Sequence, residues 1–105
     1  MAQYDVYKNV NAQTQNHIPF LLDIQSDHMS ALATRLVVPL KKQDLFEQRA
    51  VGKVHPKVLI GSVPVYAVVS EMAAVPAGIL GEYVTSLQHE RSTILAAVDL
   101  IVTGF

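Results

Sequence analysis

The chain opens on a short apolar alternation, Tyr4 to Tyr7, which predicts a strand. Residues 8–17 (KNVNAQTQNH) are polar and rich in Asn and Gln, and read as an exposed loop. Ile18 to Ile24 (IPFLLDI) predicts a second strand, with Pro19 near its start, where a missing N–H matters least. Gln25-Ser26-Asp27 closes it as a turn. Arg35 to Leu40 (RLVVPL) predicts a β-branched third strand, whose Pro39 suggests a sheet edge or the strand's end. Residues 41–53 mix charges with Leu45, Phe46, Ala50 and Val51 and read as a loop with room for one helical turn. Val54–Ile60 and Val65–Val69 predict a hairpin across Gly61-Ser62-Val63-Pro64. Met72–Pro76 reads as a connection, and Ala77–Leu80 as a short strand ending at Gly81.

The last segment changes period. Thr85 and Gln88 have capping-box spacing. Leu87, Ile94, Leu95, Val98, Ile101 and Val102 then recur at helical intervals, and Ala96, Ala97 and Leu100 widen the apolar surface. A helix apolar on more than one face is buried on more than one side, and here the second side suits a partner chain. Gly104 falls where a C′ residue takes positive φ. About five short strands followed by one helix predict an α+β domain, mainly β, built on a small barrel-like antiparallel sheet.

Composition sharpens this in two ways. The 105 residues fit a single domain (1–105), and half are hydrophobic while 16% are charged, a surplus of apolar surface that favours homodimerisation. The net charge of −1 argues against direct nucleic-acid binding, which needs cations for the phosphates. Without cysteine there is no disulfide framework and no thiolate metal site, in keeping with a cytoplasmic location. Met1-Ala2-Gln3-Tyr4-Asp5 does not read as a signal peptide, and no apolar run is long enough for a bilayer.

Catalytic constellations are not visible: no Gly-rich phosphate loop, no nucleophile elbow, no H-E-x-x-H. His17, His28, His55 and His89 have no ligand spacing and read as ordinary surface or half-buried histidines. Acid pairs such as Glu71 with Glu82, or Asp23 with Asp27, read as solvated turn carboxylates. The expectation is a non-enzyme with no cofactor and no metal. One charged feature stands out. Residues 41–57 hold five Lys or Arg against Asp44 and Glu47, either a solvated loop or a landing site for an acidic peptide, with Lys41, Lys42 and Arg49 as candidate contacts.

Several stretches, taken together, resemble the CcdB toxin family. They are Tyr4–Tyr7, FLLDIQSD (20–27), TRLVVPL (34–40), VLI (58–60), MAAVP (72–76) and AAVDLIVTGF (96–105). The resemblance implies an SH3-like small barrel, an antiparallel five-stranded sheet with a minor side sheet and a C-terminal α-helix. It also implies a homodimeric toxin of a type II toxin–antitoxin system that binds the DNA gyrase A subunit and traps the cleaved-DNA complex. A CcdA-type antitoxin would neutralise it and, with it, repress their operon, the antitoxin making the DNA contacts.

Carried onto this chain, the family's gyrase-binding residues fall on Ser26, His28 and Met29 in the turn after the second strand. They fall also on Asp99, Thr103, Gly104 and Phe105 at the helix end. Two departures stand out: Thr103 replaces the family Trp before the final Gly, and His28-Met29 replace two apolar residues. Loss of the Trp removes the usual kind of aromatic interface anchor. Asp99 opposes the helix macrodipole, and a residue set against local physics is a candidate site. Two other readings remain: an endoribonuclease toxin of the related MazF/Kid fold, for which the chain has few cations to spare, and an antitoxin-binding relic inactive on gyrase.

Overall fold

The computed structural model describes residues 1–104. β1 (Asp5–Asn9) and β2 (Phe20–Asp23) lead to β3 (Thr34–Lys42), one helical turn α1 (Gln43–Phe46), the hairpin β4 (Lys57–Ile60) and β5 (Val63–Ala67), then β6 (Ala73–Pro76), β7 (Leu80–Ser86) and helix α2 (Arg91–Thr103). All pairings are antiparallel. The order is β4-β5-β3-β2-β1-β7, with β6 added on β3. This is the expected α+β, mainly β architecture, a curled barrel-like sheet closed by a C-terminal helix.

β3 is the branch point. One edge pairs with β2 through residues 37–40. The other edge is shared, β6 taking residues 34–37 and β5 residues 40–42. Pro39 lies at the handover. Its carbonyl accepts the Val68 N–H at 3.0 Å, and the one bond its missing donor forgoes, to the Val68 carbonyl, is replaced there by the Glu71 N–H at 2.9 Å. The expectation of an edge or a strand end at Pro39 is thereby corrected: the residue is interior, and the strand runs on to Lys42.

Alternation along the strands sends Val6, Leu22, Val38, Leu40, Val58, Ile60, Val65 and Ala67 into one core, capped from α2 by Ile94 and Ala97. Each large apolar side chain buried there contributes roughly 1.5–3 kcal/mol. A second, smaller cluster of Phe46, Tyr66 and Val68 lies under the segment that follows β3. Tyr4 joins the end of β2 to the approach of α2: its N–H donates to the Asp23 carbonyl at 2.6 Å and its carbonyl accepts from Leu87 at 2.8 Å. It holds a φ of 72°, a strained value for a side chain of this size.

Other sequence expectations need correction. Met72–Pro76 is no bare connection: its residues 73–76 form β6, which lays small residues beside β3. Ala77–Ile79 is a 3-10 turn, and the strand expected there begins at Leu80 and continues through Gly81 to Ser86. Gly81 allows β7 to close on β1, since a Cβ there would come within 2.7 Å of the Lys8 carbonyl oxygen. β1 runs on to Asn9, inside the expected loop. The hairpin turns at Gly61-Ser62 alone, because Val63 and Pro64 already belong to β5, and β4 begins at Lys57 rather than Val54. Thr85 is paired with Val6 in β7, so no capping box forms, and a 3-10 turn at Gln88–Glu90 leads into α2. Leu87, buried at 1% exposure, packs ahead of the helix rather than within it.

Candidate functional site

The turn between β2 and β3 stands on buried polar groups. Asp23 is fully buried and Arg35 is 2% exposed. Arg35 donates to one Asp23 carboxylate oxygen from Nε at 2.9 Å and from Nη2 at 2.6 Å. The other carboxylate oxygen accepts the Gln25 N–H at 3.0 Å. Gln25 clasps the turn to the sheet: its amide oxygen accepts the Leu36 N–H at 3.0 Å while its Nε2 donates to the Met29 carbonyl at 2.8 Å. From the N-terminal side, Gln3 donates its N–H to Asp27 at 2.8 Å and its Nε2 to the Ile24 carbonyl at 3.1 Å. Ser26 caps the 3-10 turn Asp27–Met29 by accepting the His28 N–H at 3.2 Å. Above these anchors His28 and Met29 point to solvent, Met29 with half its surface exposed, and Leu32 follows suit. Tyr7 lies near enough to the buried pair to feel both charges. Burial first, and Asp5 next, push its hydroxyl up to about 12, so it stays neutral.

Helix α2 presents two faces. Ile94 and Ala97 are buried in the core. On the opposite side Leu95, Asp99 and Val102, at i, i+4 and i+7, form a solvent-facing stripe, with Val102 67% exposed. Asp99 has no ion-pair partner among the described residues, so the unfavourable placement against the macrodipole stands uncompensated there. Thr103 turns its hydroxyl back to the Asp99 carbonyl at 2.6 Å. Gly104 ends the helix at φ 80°, its N–H bonded to Leu100, which is the expected left-handed stop. Phe105 lies outside the described residues.

The N-terminal segment lies between the β2–β3 turn and the first turns of α2, not the helix end. Gln3, which holds Asp27, also lines a recess of about 400 Å³ with Tyr4, Arg91, Ser92 and Leu95. Sequence reasoning missed Asp23, Arg35, Gln3 and Gln25 as supports. The one signal available was an acid closing an apolar run and a base opening the next.

The cations of the 41–57 segment divide into two kinds. Lys41 belongs to β3, is half-buried, pairs with Glu71 at 2.9 Å and lies 5.4 Å from the Phe46 ring centre. Lys57 sits 4.0 Å from Glu47 and over Tyr66. Lys42 and Arg49 are exposed, Lys42 beside Asp44 and Val63 and Arg49 beside Leu45 and Gln48. Lys53 and Lys57 line a groove of about 690 Å³ against Ser92, Thr93 and Ala96 of α2. Glu71 and Glu82 are the exposed acids expected, and each also pairs with a lysine, Lys41 and Lys8 respectively. Asp23 departs furthest from the solvated carboxylate expected of it.

His55 is the buried histidine, engaged at both ring nitrogens. Nδ1 accepts the Val51 N–H at 2.9 Å and Nε2 lies 2.8 Å from the Ser70 hydroxyl. An acceptor at Nδ1 places the proton of the neutral ring on Nε2. Burial holds its pKa below the ordinary histidine value; Lys41 adds to that and Glu71 opposes it. Phe46 packs edge-on against the ring at 5.1 Å. Among the described residues no three His, Cys, Asp or Glu side chains gather as a metal site. No described helix is long and apolar enough to cross a membrane.

Residues 3–104 match the family model described as CcdB protein. Among solved structures the chain is similar to one described as an endoribonuclease in complex with its cognate antitoxin from a mycobacterial species. The TM-score is 0.72 at 13% identity, over 97% of this chain and 94% of that one. At that identity the likeness speaks for the fold.

Proposed function

The chain belongs to the CcdB family, a family of toxins from toxin–antitoxin systems, and on that premise we propose that it is a homodimeric, non-catalytic poison of the DNA gyrase A subunit. The observation that carries this reading is the exposed, unpartnered Leu95–Asp99–Val102 stripe that runs to the Gly104 stop, with the exposed 27–29 turn as a second element. Apolar side chains left at a helix surface favour a protein partner. Leu95, a turn before Asp99, serves the second copy and leaves Asp99 and the helix end to gyrase, and a two-fold axis beside the start of the helix presents each helix end and each turn twice. Gyrase is met by Ser26, His28, Met29, Asp99, Thr103, Gly104 and Phe105. The effect of the dimer equals its preference for the cleaved-DNA state over the others.

A cytoplasmic antitoxin of CcdA type neutralises the toxin through the 41–57 segment, with Lys41, Lys42 and Arg49 steering its acidic tail. Together the two repress their operon, the antitoxin holding the DNA. A binding role rather than cleavage is supported by where the polar chemistry goes: Asp23 and Arg35 are spent on each other, and His55 has both nitrogens occupied.

The test is deletion of Gly104 and Phe105. It should leave thermal stability and antitoxin binding nearly unchanged and abolish gyrase A binding and toxicity, while Thr103→Trp should keep or raise gyrase affinity. A truncated protein that still poisons gyrase would place the contact elsewhere. A sedimentation mass near the 11.5 kDa of one chain at micromolar concentration would remove the dimer. Cleavage of unstructured RNA by the pure protein would favour the endoribonuclease reading.

A further inference from the structure

We propose that the buried Asp23–Arg35 pair, acting through Gln25, is a positioning device for the docking turn, retained for the shape of residues 26–32 rather than for stability. The proposal rests on the reading of that turn as the gyrase contact. Replacing a buried ion pair by apolar residues of similar volume is often neutral or stabilising, so stability alone gives little reason to bury two charges. What the pair does that an apolar pair could not is aim hydrogen bonds.

Arg35 holds one carboxylate oxygen of Asp23 with two donors, and the Gln25 N–H holds the other, so contacts at both oxygens together set the carboxylate's orientation. That second oxygen accepts the Gln25 N–H at 3.0 Å and so ties Gln25 to the ion pair. Gln25, 9% exposed, is thereby oriented to bridge the Leu36 N–H on the sheet and the Met29 carbonyl on the turn. The chain of contacts therefore runs from the interior of β3 to the backbone of Met29. No buried side-chain polar atom among the described residues lacks a partner, so the network has no slack to absorb a lost member. The residues it supports, from Asp27 to Ala33, are all exposed and have no apolar packing of their own to hold them. Asp23, Arg35 and Gln25 thus act on a partner through the turn and need not touch it.

Two variants test this. Asp23→Leu combined with Arg35→Met removes both charges at once. Gln25→Glu keeps the acceptor for Leu36 but turns the donor facing the Met29 carbonyl into a second acceptor, leaving the ion pair in place. For each, hydrogen exchange of the 27–32 amides is measured against those of β1 and β2, together with affinity for the isolated gyrase A subunit and for the antitoxin.

In both variants the turn amides should exchange at least ~10-fold faster while the strand amides keep their protection. Affinity for gyrase A should fall roughly 30-fold, as expected if the docking conformation is populated only a few per cent of the time. Antitoxin affinity should stay within about threefold, and Gln25→Asn, a shorter donor, should recover neither property. Unchanged turn exchange in a folded variant overturns the proposal. So does gyrase affinity that falls only in step with thermal stability. If the double variant does not fold, Gln25→Glu decides alone. The exchange measurement needs no gyrase. Wild-type protein that binds antitoxin but not gyrase A would therefore end the docking reading, while the exchange data still judge the positioning claim.

Discussion

β3 carries an excursion at each end, and the two are held down by opposite chemistry. Before Thr34 the 25–33 turn rests on a buried ion pair and two glutamines, with no large apolar side chain of its own in the core. After Lys42 the 43–56 segment rests on aromatic packing: Phe46 enters a cluster with Tyr66 and Val68, and His55 meets its edge. Polar anchoring fixes direction, since each hydrogen bond has one good geometry. Aromatic anchoring fixes position but tolerates small rotations, since dispersion and area burial are only weakly directional. The turn suits a partner that needs a preset shape. The segment suits a flexible, charged one that adapts on contact.

The comparison breaks most readily at Asp23. Asp23→Asn leaves the Arg35 guanidinium buried without its counter-charge and should cost about 3–5 kcal/mol. Phe46→Ala empties the smaller cluster and should cost about 3 kcal/mol, at the lower end for a buried aromatic because the site lies near the surface. Urea denaturation of both variants measures the two values. If Phe46→Ala proved the costlier, the smaller cluster would be the main anchor of β3 and the polar network the secondary one.

How much of this was legible beforehand follows the same division. Local signals served well where a residue's neighbours in sequence are its neighbours in space: the turn at Gln25-Ser26-Asp27, the β-branched stretch of β3 and the helix stop at Gly104. They failed where a distant strand decides. Ala73–Pro76 carries no alternation, yet becomes β6 because Thr34–Val37 offers it an open edge. Thr85 has a cap's spacing, but its backbone is claimed by Val6. Asp23 reads as a solvated turn acid until Arg35, twelve positions on, supplies its partner. Lys41 looked like a loop cation only because β3 outran its apolar run. The gyrase contacts came from resemblance and the antitoxin contacts from the charge excess of residues 41–57, and the structure adds the support beneath the first.

Acid sharpens the contrast between the two excursions. His55 has its folded pKa held below the ordinary value by burial first and Lys41 next, against an opposing Glu71. Above roughly pH 7 neither folded nor unfolded histidine binds the proton and stability is flat. As the pH falls through the unfolded value of about 6.5, the unfolded chain takes up a proton that the folded ring refuses. Stability therefore declines until the folded pKa is reached. Protonation at Nδ1 would also cancel the bond from Val51. Wild type should lose stability between pH 7.5 and 5.5 and His55→Gln should lose less, as read by urea midpoints. Amides of residues 51–55 should lose protection before those of 26–32, whose supports include no histidine. Equal loss in both regions would mean that they open as one unit.

The smallest effect on stability, and the most informative about function, is expected from Lys42 and Arg49. Both are exposed and neither has an ion-pair partner among the described residues, so changing them to Gln should shift stability by less than about 0.5 kcal/mol. Lys41→Gln differs. It removes a half-buried cation paired with Glu71 and resting over Phe46, so it should cost more stability than the other two together. On the antitoxin the ranking should invert. Unpaired, exposed charges steer an acidic tail, whereas one already neutralised by Glu71 contributes little to the long-range field. Lys42→Gln with Arg49→Gln should slow association several-fold at low salt, with the difference fading near 0.5 M salt as screening shortens the reach of the remaining charges. Dissociation should change less. Stopped-flow mixing with the antitoxin at three salt concentrations separates the two rates. If Lys41→Gln slowed association as much as the double change, the ion pair would have to open on encounter, and the 43–56 segment would be answering its partner by rearrangement rather than by charge already on display.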